Sequence, residues 1–158
     1  MHRFPHSLRR DFHLAAEFPA GLVPVGDAVA SFNPVYGQGV PSAALHVSAL
    51  VHWLAEGSGV DAYFDRLRVL VDAAWQTSVV EDFRLPHVRG ERPRGHRVMQ
   101  AVSAAIDRAA MTDPVVNRRF LDVVNMRVHP RELLRADILG RTLLSEARLH
   151  LPGPRVER

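Results

Sequence analysis

The chain has 158 residues, of which 47% are hydrophobic and 23% charged, a composition typical of globular domains rather than of disordered or fibrous chains. Its 20 basic residues are all arginine and are spread along the chain among 17 acidic residues, so the net charge of +3 does not favour nucleic-acid binding. Cysteine does not occur, which excludes disulfides, thiolate nucleophiles and cysteine-ligated zinc.

The N-terminal part predicts one short strand. Residues 8–17 could form a helix, and residues 18–21 predict a turn. Residues 22–25 then predict an apolar strand that ends at Gly26-Asp27. Because Pro24 has no N–H group for a ladder hydrogen bond, this strand is expected to be short or to lie at a sheet edge.

A glycine-rich turn and a helix N-terminus follow the predicted strand. Gly37 and Gly39 allow positive φ or a close approach of the backbone to another group. Pro41 suits the first turn of a helix, because its missing N–H would be unpaired there. An acidic residue, a glycine turn and a helix N-terminus in this order favour the binding of a polar, electron-rich ligand.

From residue 40 onward the apolar residues recur at helical spacing. This spacing predicts helices over residues 40–56 and 96–111, a helical apolar stripe over residues 60–75, and a helix that starts at Pro114 and is broken by His129-Pro130. A last short helical piece is expected from residue 133 and a long polar loop over residues 79–96. Thr112-Asp113-Pro114 predicts a sharp helix start, because a capping residue precedes a proline. No helix candidate has the ~20 apolar residues that a membrane span needs, and no apolar signal region follows Met1, so a soluble cytoplasmic protein is expected.

The motif Gly26-Asp27-Ala28, followed by Pro34 and by Gly37-Gln38-Gly39, resembles the second flavin-contacting motif of FAD-dependent monooxygenases of the aromatic-hydroxylase (p-hydroxybenzoate hydroxylase-like) type. The resemblance implies that the aspartate hydrogen-bonds a ribitol hydroxyl of FAD. It also implies that the loop lies along the isoalloxazine and that the next helix points its N-terminus at the pyrimidine carbonyl. The implied cofactor-binding residues are Gly26, Asp27, Ala28, Pro34, Gly37, Gln38, Gly39 and Val40.

The chain departs from the family at one position. After the last glycine the family offers two successive backbone N–H groups, whereas this chain has Val40 and then Pro41. Proline has no N–H, so one of the two donors to the flavin is missing. The resemblance continues less specifically into the later helices, through residues 82–86 and Arg92-Pro93.

The resemblance implies a mainly α fold with a short β element: the C-terminal fragment of a Rossmann-like FAD/NAD(P)-binding α/β fold, followed by a helical region. The expected organisation is a remnant of the FAD-binding domain at residues 1–56, a C-terminal helical region at residues 57–150 and a tail at residues 151–158. The 158 residues contain no Gly-x-Gly-x-x-Gly motif for the ADP half of FAD. An in-frame motif upstream of the Met1 codon would make Met1 an internal start.

The expected function is therefore that of an FAD-dependent monooxygenase or related oxidoreductase, with weak or no FAD binding by this chain alone. In the intact relative the partners would be FAD, NAD(P)H and an organic small molecule. No residue is predicted to act as acid, base or nucleophile. No metal site is predicted, because His46 and His52 are six residues apart and are expected at the surface or partly packed.

Two other classes remain open from the sequence. One is a non-catalytic helical module that binds a protein or small ligand, with a protein partner covering the surface where the missing sheet would pack. The other is a basic helical protein that associates with nucleic acid, for which binding would depend steeply on salt.

Overall fold

The computed structural model describes residues 6–86 and 88–149, and the predicted tail at residues 151–158 lies outside them. The described residues form five α-helices, several short 3-10 turns and one two-stranded sheet, which confirms the mainly α fold with a short β element. They divide into two compact units between Val88 and Arg89, and Val124–Met126 belongs to the first unit. None of the described helices is long and apolar enough to cross a membrane.

The first unit contains the two strands and two long helices. Its elements are β1 (Leu8–Arg9), β2 (Ala30–Ser31), α1 (Gly39–Glu56) and α2 (Val60–Asp82), with 3-10 turns at Phe12–Leu14, Gly26–Ala28 and Pro34–Tyr36. The strands are antiparallel, with Leu8 opposite Ser31 and Arg9 opposite Ala30. The pairing therefore joins the N-terminal residues to the segment that leads into the glycine-rich loop, residues 34–39.

The strand predicted over residues 22–25 does not form, and neither does a helix over residues 8–17. Val25 has an extended backbone, but Pro24 cannot donate to a ladder, and its carbonyl instead accepts a hydrogen bond from the buried Tyr63 hydroxyl at 2.8 Å. The turn predicted just before this segment is present, with the Leu22 amide donating to the Pro19 carbonyl at 3.3 Å.

Aromatic rings form the centre of the first unit. The Phe18 and Phe64 rings meet edge to face with their centroids 4.8 Å apart, and Phe12 contacts Phe18 at 5.5 Å. α2 supplies most of the other buried side chains, namely Tyr63, Phe64, Leu67, Val71, Ala74 and Ser78. The predicted apolar face of this helix is thus largely the buried one, and the two phenylalanines of the N-terminal segment pack on it.

α1 buries a different face from the one that its apolar residues predict. The buried residues are Ser42, His46 and Ala49. Much of the predicted apolar face is exposed: Val40, Ala44, Val47, Val51 and Leu54 form what we call the α1 apolar stripe. The successive spacings of four and three residues place these five side chains on one side of the helix.

The second unit is a small helical core. It contains α3 (His96–Ala110), α4 (Pro114–Val124), a 3-10 turn at Pro130–Leu134 and α5 (Ala136–Leu149). The buried apolar residues are Ile106, Ala109, Ala110, Val116 and Ile138. The helix starts near residues 96 and 114 agree with the sequence prediction, whereas α5 is much longer than the short piece expected.

Acidification is expected to weaken the start of α4. Asp113 accepts hydrogen bonds from the Val115 and Val116 amides at 2.8 and 3.1 Å and from Arg141 at 3.0 Å. The Val116 hydrogen bond is the main reason that the pKa of the Asp113 carboxyl lies below its ordinary value. A lowered carboxyl pKa adds stability above the ordinary value of about 3.9, and this is lost as the pH falls through the folded-state pKa.

The test is urea unfolding between pH 7 and pH 3 for the natural chain, Asp113→Asn and Asp113→Ala. Asparagine keeps the capping acceptor but does not titrate, so its variant should lose less stability on acidification than the natural chain. Alanine should destabilise the protein at pH 7. Equal acid sensitivity in the natural chain and in Asp113→Asn would contradict the prediction.

Candidate functional site

The Gly26–Ala28 turn packs on the first two turns of α1. The Gly26 amide donates to Nδ1 of His46 at 3.1 Å, and a Cβ built on Gly26 would lie 3.5 Å from the Cβ of Ala43. Gly26 has a φ of +58°, a backbone conformation that side-chain-bearing residues rarely adopt. The structure therefore brings the predicted Gly-Asp-Ala motif to within one helical turn of Val40.

The outer side of the same turn is exposed. The Asp27 side chain faces solvent, and within the described part of the chain no group donates a hydrogen bond to its carboxylate. Nη1 of Arg10 donates to the carbonyls of Asp27 and Ala28 at 3.3 and 3.2 Å, and the Arg10 amide donates to the Val29 carbonyl at 2.9 Å. The backbone of the turn is thus fixed while its carboxylate stays available as an acceptor.

The glycine-rich loop is fixed by α2. The Tyr36 hydroxyl donates to Oδ1 of Asp82 at 2.6 Å, and the Ser78 hydroxyl donates to Oε1 of Gln38 at 3.0 Å. Ser78 and Asp82 lie four residues apart, so both point from the same side of the helix. Burial, followed by the hydrogen bond to Asp82, raises the pKa of the Tyr36 hydroxyl far above its ordinary value.

The outer surface of the glycine-rich loop is not covered by these contacts to α2. Pro34 and Gly37 are exposed, and Gly37 closes the 3-10 turn with a φ of +66°. A Cβ built on Gly37 or on Gly39 would meet no protein atom within 4 Å. The predicted site residues Gly37 and Gly39 thus have open space next to their Cα atoms.

The N-terminus of α1 presents backbone donors next to this loop. The first helical hydrogen bond runs from the Ser42 amide to the Gln38 carbonyl at 3.0 Å, so the amides of Gly39 and Val40 precede it and have no intrahelical acceptor. Val40 is 82% exposed. Pro41 follows and has no N–H. The Val40 amide is therefore the last one at this end of α1 that lacks an intrahelical acceptor.

The predicted site residues therefore lie on two separate segments of the chain. The Gly26–Ala28 turn and the start of α1 are in contact, and both keep exposed atoms. Gln38 differs from the others, because its side chain is only 3% exposed and is directed at Ser78. Its side chain binds the loop to α2 and its carbonyl accepts from the Ser42 amide, so Gln38 has a structural role at the start of α1.

Four residues that fix the candidate site were not predicted to contact it. They are Arg10, His46, Ser78 and Asp82. The expectation of a surface or partly packed histidine is wrong for His46, which is 0% exposed, while His52 is exposed and contacts the Ser48 carbonyl. The burial of His46 could have been inferred from the Ser42–His46 pair, which lies at helical spacing within an apolar helix. The described residues contain no group of three side chains suited to a metal ion.

No family model matches this chain. The chain is similar to Protein Rv3254 of Mycobacterium tuberculosis, with 31% identity over 164 aligned positions. The alignment covers 99% of this chain but only 35% of the relative, so the chain spans about a third of the length of the curated relative that it matches.

Proposed function

We propose that this chain forms the flavin-ring side of the site of a cytoplasmic FAD-dependent monooxygenase or related oxidoreductase of the aromatic-hydroxylase type, built from the C-terminal part of a Rossmann-like FAD/NAD(P)-binding fold. One observation carries the proposal. The Gly26–Ala28 turn packs on the first turns of α1, while the Asp27 side chain and Val40 remain exposed. An exposed acceptor therefore lies on a turn that packs against the helix whose N-terminus is exposed.

The chemistry of these groups fits the ring side of FAD. Asp27 offers an acceptor to which a ribitol hydroxyl can donate, and the amides of Gly39 and Val40 can donate to carbonyl oxygens. The helix N-terminus carries about half a positive charge, which favours an electron-rich edge. When bound, FAD supplies the activation of dioxygen for oxygen transfer to an organic substrate. The residues of this chain bind and orient the cofactor and supply no acid, base or nucleophile.

A partner polypeptide belongs to the same proposal. The relative is about three times longer than the aligned region, which supports a site completed by further polypeptide that binds the ADP half of FAD and NAD(P)H. The exposed α1 apolar stripe supports the same idea, because five apolar side chains on one helix face favour burial against protein. A sheet that covers the stripe would also bring the remaining cofactor contacts to the start of α1.

The proposal is tested by titrating the ¹⁵N-labelled chain with FAD to millimolar concentration and following the amide resonances. We expect shifts at residues 26–28 and 37–40, with an affinity weaker than about 1 µM, a value that corresponds to about 8 kcal/mol of binding free energy. Asp27→Ala should weaken binding about tenfold, because it removes a hydrogen bond to a charged group. The matched control is Asp61→Ala, an exposed aspartate in the first turn of α2.

Two results would contradict the proposal. One is an absence of shifts at these amides at millimolar FAD, and the other is equal affinity in Asp27→Ala and in the natural chain. Affinity at or below micromolar Kd would contradict the weak binding expected of this chain alone. A non-catalytic binding module, which the exposed α1 apolar stripe also favours, predicts no FAD-dependent shift at the Gly26–Ala28 turn.

A further inference from the structure

We propose that His46 is the positioning residue of the candidate site: its neutral imidazole fixes the Gly26–Ala28 turn against α1 and so sets where Asp27 meets its ligand. The placement of the turn follows from contacts within the chain. The consequence for a flavin rests on the proposed function. No motif in the sequence assigns this role to His46.

The contacts define the tautomer of the imidazole. A backbone amide can only donate, so Nδ1 of His46 must be unprotonated to accept from Gly26 at 3.1 Å. The ring proton then lies on Nε2, which is 3.3 Å from the Ser42 hydroxyl and donates to it. Ser42 therefore orients the ring, and the ring in turn holds the amide of Gly26.

The burial of this contact makes it hard to replace. His46 is fully buried and Ser42 nearly so, whereas Gly26 is half-buried, so the acceptor of the Gly26 amide lies on the protein side of the turn and its loss leaves the amide without its partner there. The other side-chain contact to the turn comes from Arg10, which binds the carbonyls of Asp27 and Ala28 on the exposed side. Within the described residues, His46 is the side chain that binds the turn from the helix side.

Among the described residues, no charged side chain hydrogen-bonds the His46 imidazole. The turn contributes Asp27, which is exposed, and the buried face of α2 contributes one titratable group, Tyr63, whose hydroxyl donates to the Pro24 carbonyl. The buried face of α1 itself adds the Ser42 hydroxyl. Burial alone lowers the pKa of His46, so the neutral form is the one favoured by folding.

Protonation is therefore expected to release the turn. A proton on Nδ1 would face the Gly26 N–H, and the acceptor would be lost. Because the pKa of His46 is lowered by folding, its contribution is complete above the ordinary value of about 6.5 and declines as the pH falls below it. Below the folded-state pKa the Gly26–Ala28 turn should no longer be fixed from the helix side.

The test compares the natural chain with two substitutions. Asparagine places a carbonyl oxygen near the position of Nδ1 and does not titrate, so His46→Asn should keep the Gly26 contact at every pH. Leucine fills similar space without an acceptor, so His46→Leu should lose the contact at every pH. The readout is the hydrogen-exchange protection of the Gly26 amide, with the Gly57 amide, which donates to the Trp53 carbonyl at the far end of α1, as internal control.

We expect the Gly26 protection factor, corrected for intrinsic exchange, to fall about tenfold in His46→Leu with little change at Gly57. In the natural chain it should fall by a similar factor as the pH is lowered from 7 until His46 is protonated, which the His46 ring resonances report in the same samples, and in His46→Asn it should not. Undiminished Gly26 protection in His46→Leu would overturn the proposal. If that variant does not fold, an identical pH profile in His46→Asn and the natural chain would overturn it instead.

The same samples separate this inference from the proposed function. With millimolar FAD, the shifts at residues 26–28 should persist in His46→Asn and shrink in His46→Leu. If hydrogen exchange at Gly26 changes as expected but FAD causes no shift, the flavin site is rejected. The positioning of the turn by His46 is then still established. FAD-dependent shifts of equal size in His46→Leu and the natural chain would reject the role of His46 in ligand placement.

Discussion

Replacement of Phe64 by alanine is expected to lower the free energy of unfolding by about 3–5 kcal/mol, the range typical of large aromatic residues removed from a core. Phe64 is 4% exposed, and its ring contacts those of Phe12, Phe18 and Tyr63. The substitution would leave a cavity that these three rings cannot fill without moving. Urea unfolding followed by fluorescence measures the loss.

The matched control for Phe64→Ala lies on the same helix. Val69 is 57% exposed, so Val69→Ala should change the free energy of unfolding by less than about 0.5–1 kcal/mol. Similar losses in the two variants would show that Phe64 is not part of a packed core. A large loss confined to Phe64→Ala would also mean that the chain segment from residue 12 to the Gly26–Ala28 turn depends on its packing against α2.

Replacement of Gln38 by leucine is expected to destabilise the protein by about 1–3 kcal/mol, because the buried Ser78 hydroxyl would lose its acceptor. Leucine has nearly the volume of glutamine, so the effect reports the hydrogen bond rather than a cavity. The change should also loosen the glycine-rich loop, which would keep the hydrogen bond from Tyr36 to Asp82 as a contact with α2. Urea unfolding of the variant measures the destabilisation.

A double-variant cycle tests the second prediction. Removing one partner of a buried pair costs more than replacing both by apolar groups, so Gln38→Leu combined with Ser78→Ala should recover part of the stability lost in Gln38→Leu. Additive losses from the two substitutions would contradict a direct hydrogen bond between the side chains. Ser48→Ala, at an exposed position of α1, is the control for loss of a serine hydroxyl.

The parts of the fold that local chemistry decides could be predicted from the sequence. Asp113 before Pro114 defines the start of α4, because the capping carboxylate and the proline act on adjacent backbone groups. Gly57 ends α1 with a φ of +64°, next to where the apolar period stops. Phe64, Leu67 and Val71 are buried as their spacing on α2 predicts. Each of these features has a signal in residues that lie a few positions apart along the chain.

The parts that depend on distant partners were not predicted. The β1–β2 pairing joins segments more than twenty residues apart and involves two residues on each strand, too short for a periodic pattern. α2 continues to Asp82 although its apolar period fades, because Ser78 and Asp82 contact the glycine-rich loop rather than the core. Polar residues that serve a tertiary contact resemble loop residues in the sequence.

The buried face of α1, which contacts the candidate site, was also not predicted from the sequence. Sequence reasoning chose the face with the most apolar residues, but the buried face contains Ser42 and His46, which satisfy each other and the Gly26 amide. Small and polar residues on this face let the turn approach the helix closely. The sequence predicts the motif residues, whereas it gave no indication of the buried contact between His46 and the Gly26 amide.

The exposed bend at residues 19–22 offers a practical use of this architecture. Upstream of it, Arg10 binds the backbone of residues 27–29, and downstream the Gly26 amide is bound to His46, so both ends of the connection are fixed independently of its tip. Ala20 and Gly21 are exposed at that tip. A spin label or a dye placed at Ala20 would therefore report motion of this region without replacing Asp27 or the backbone donors at the start of α1.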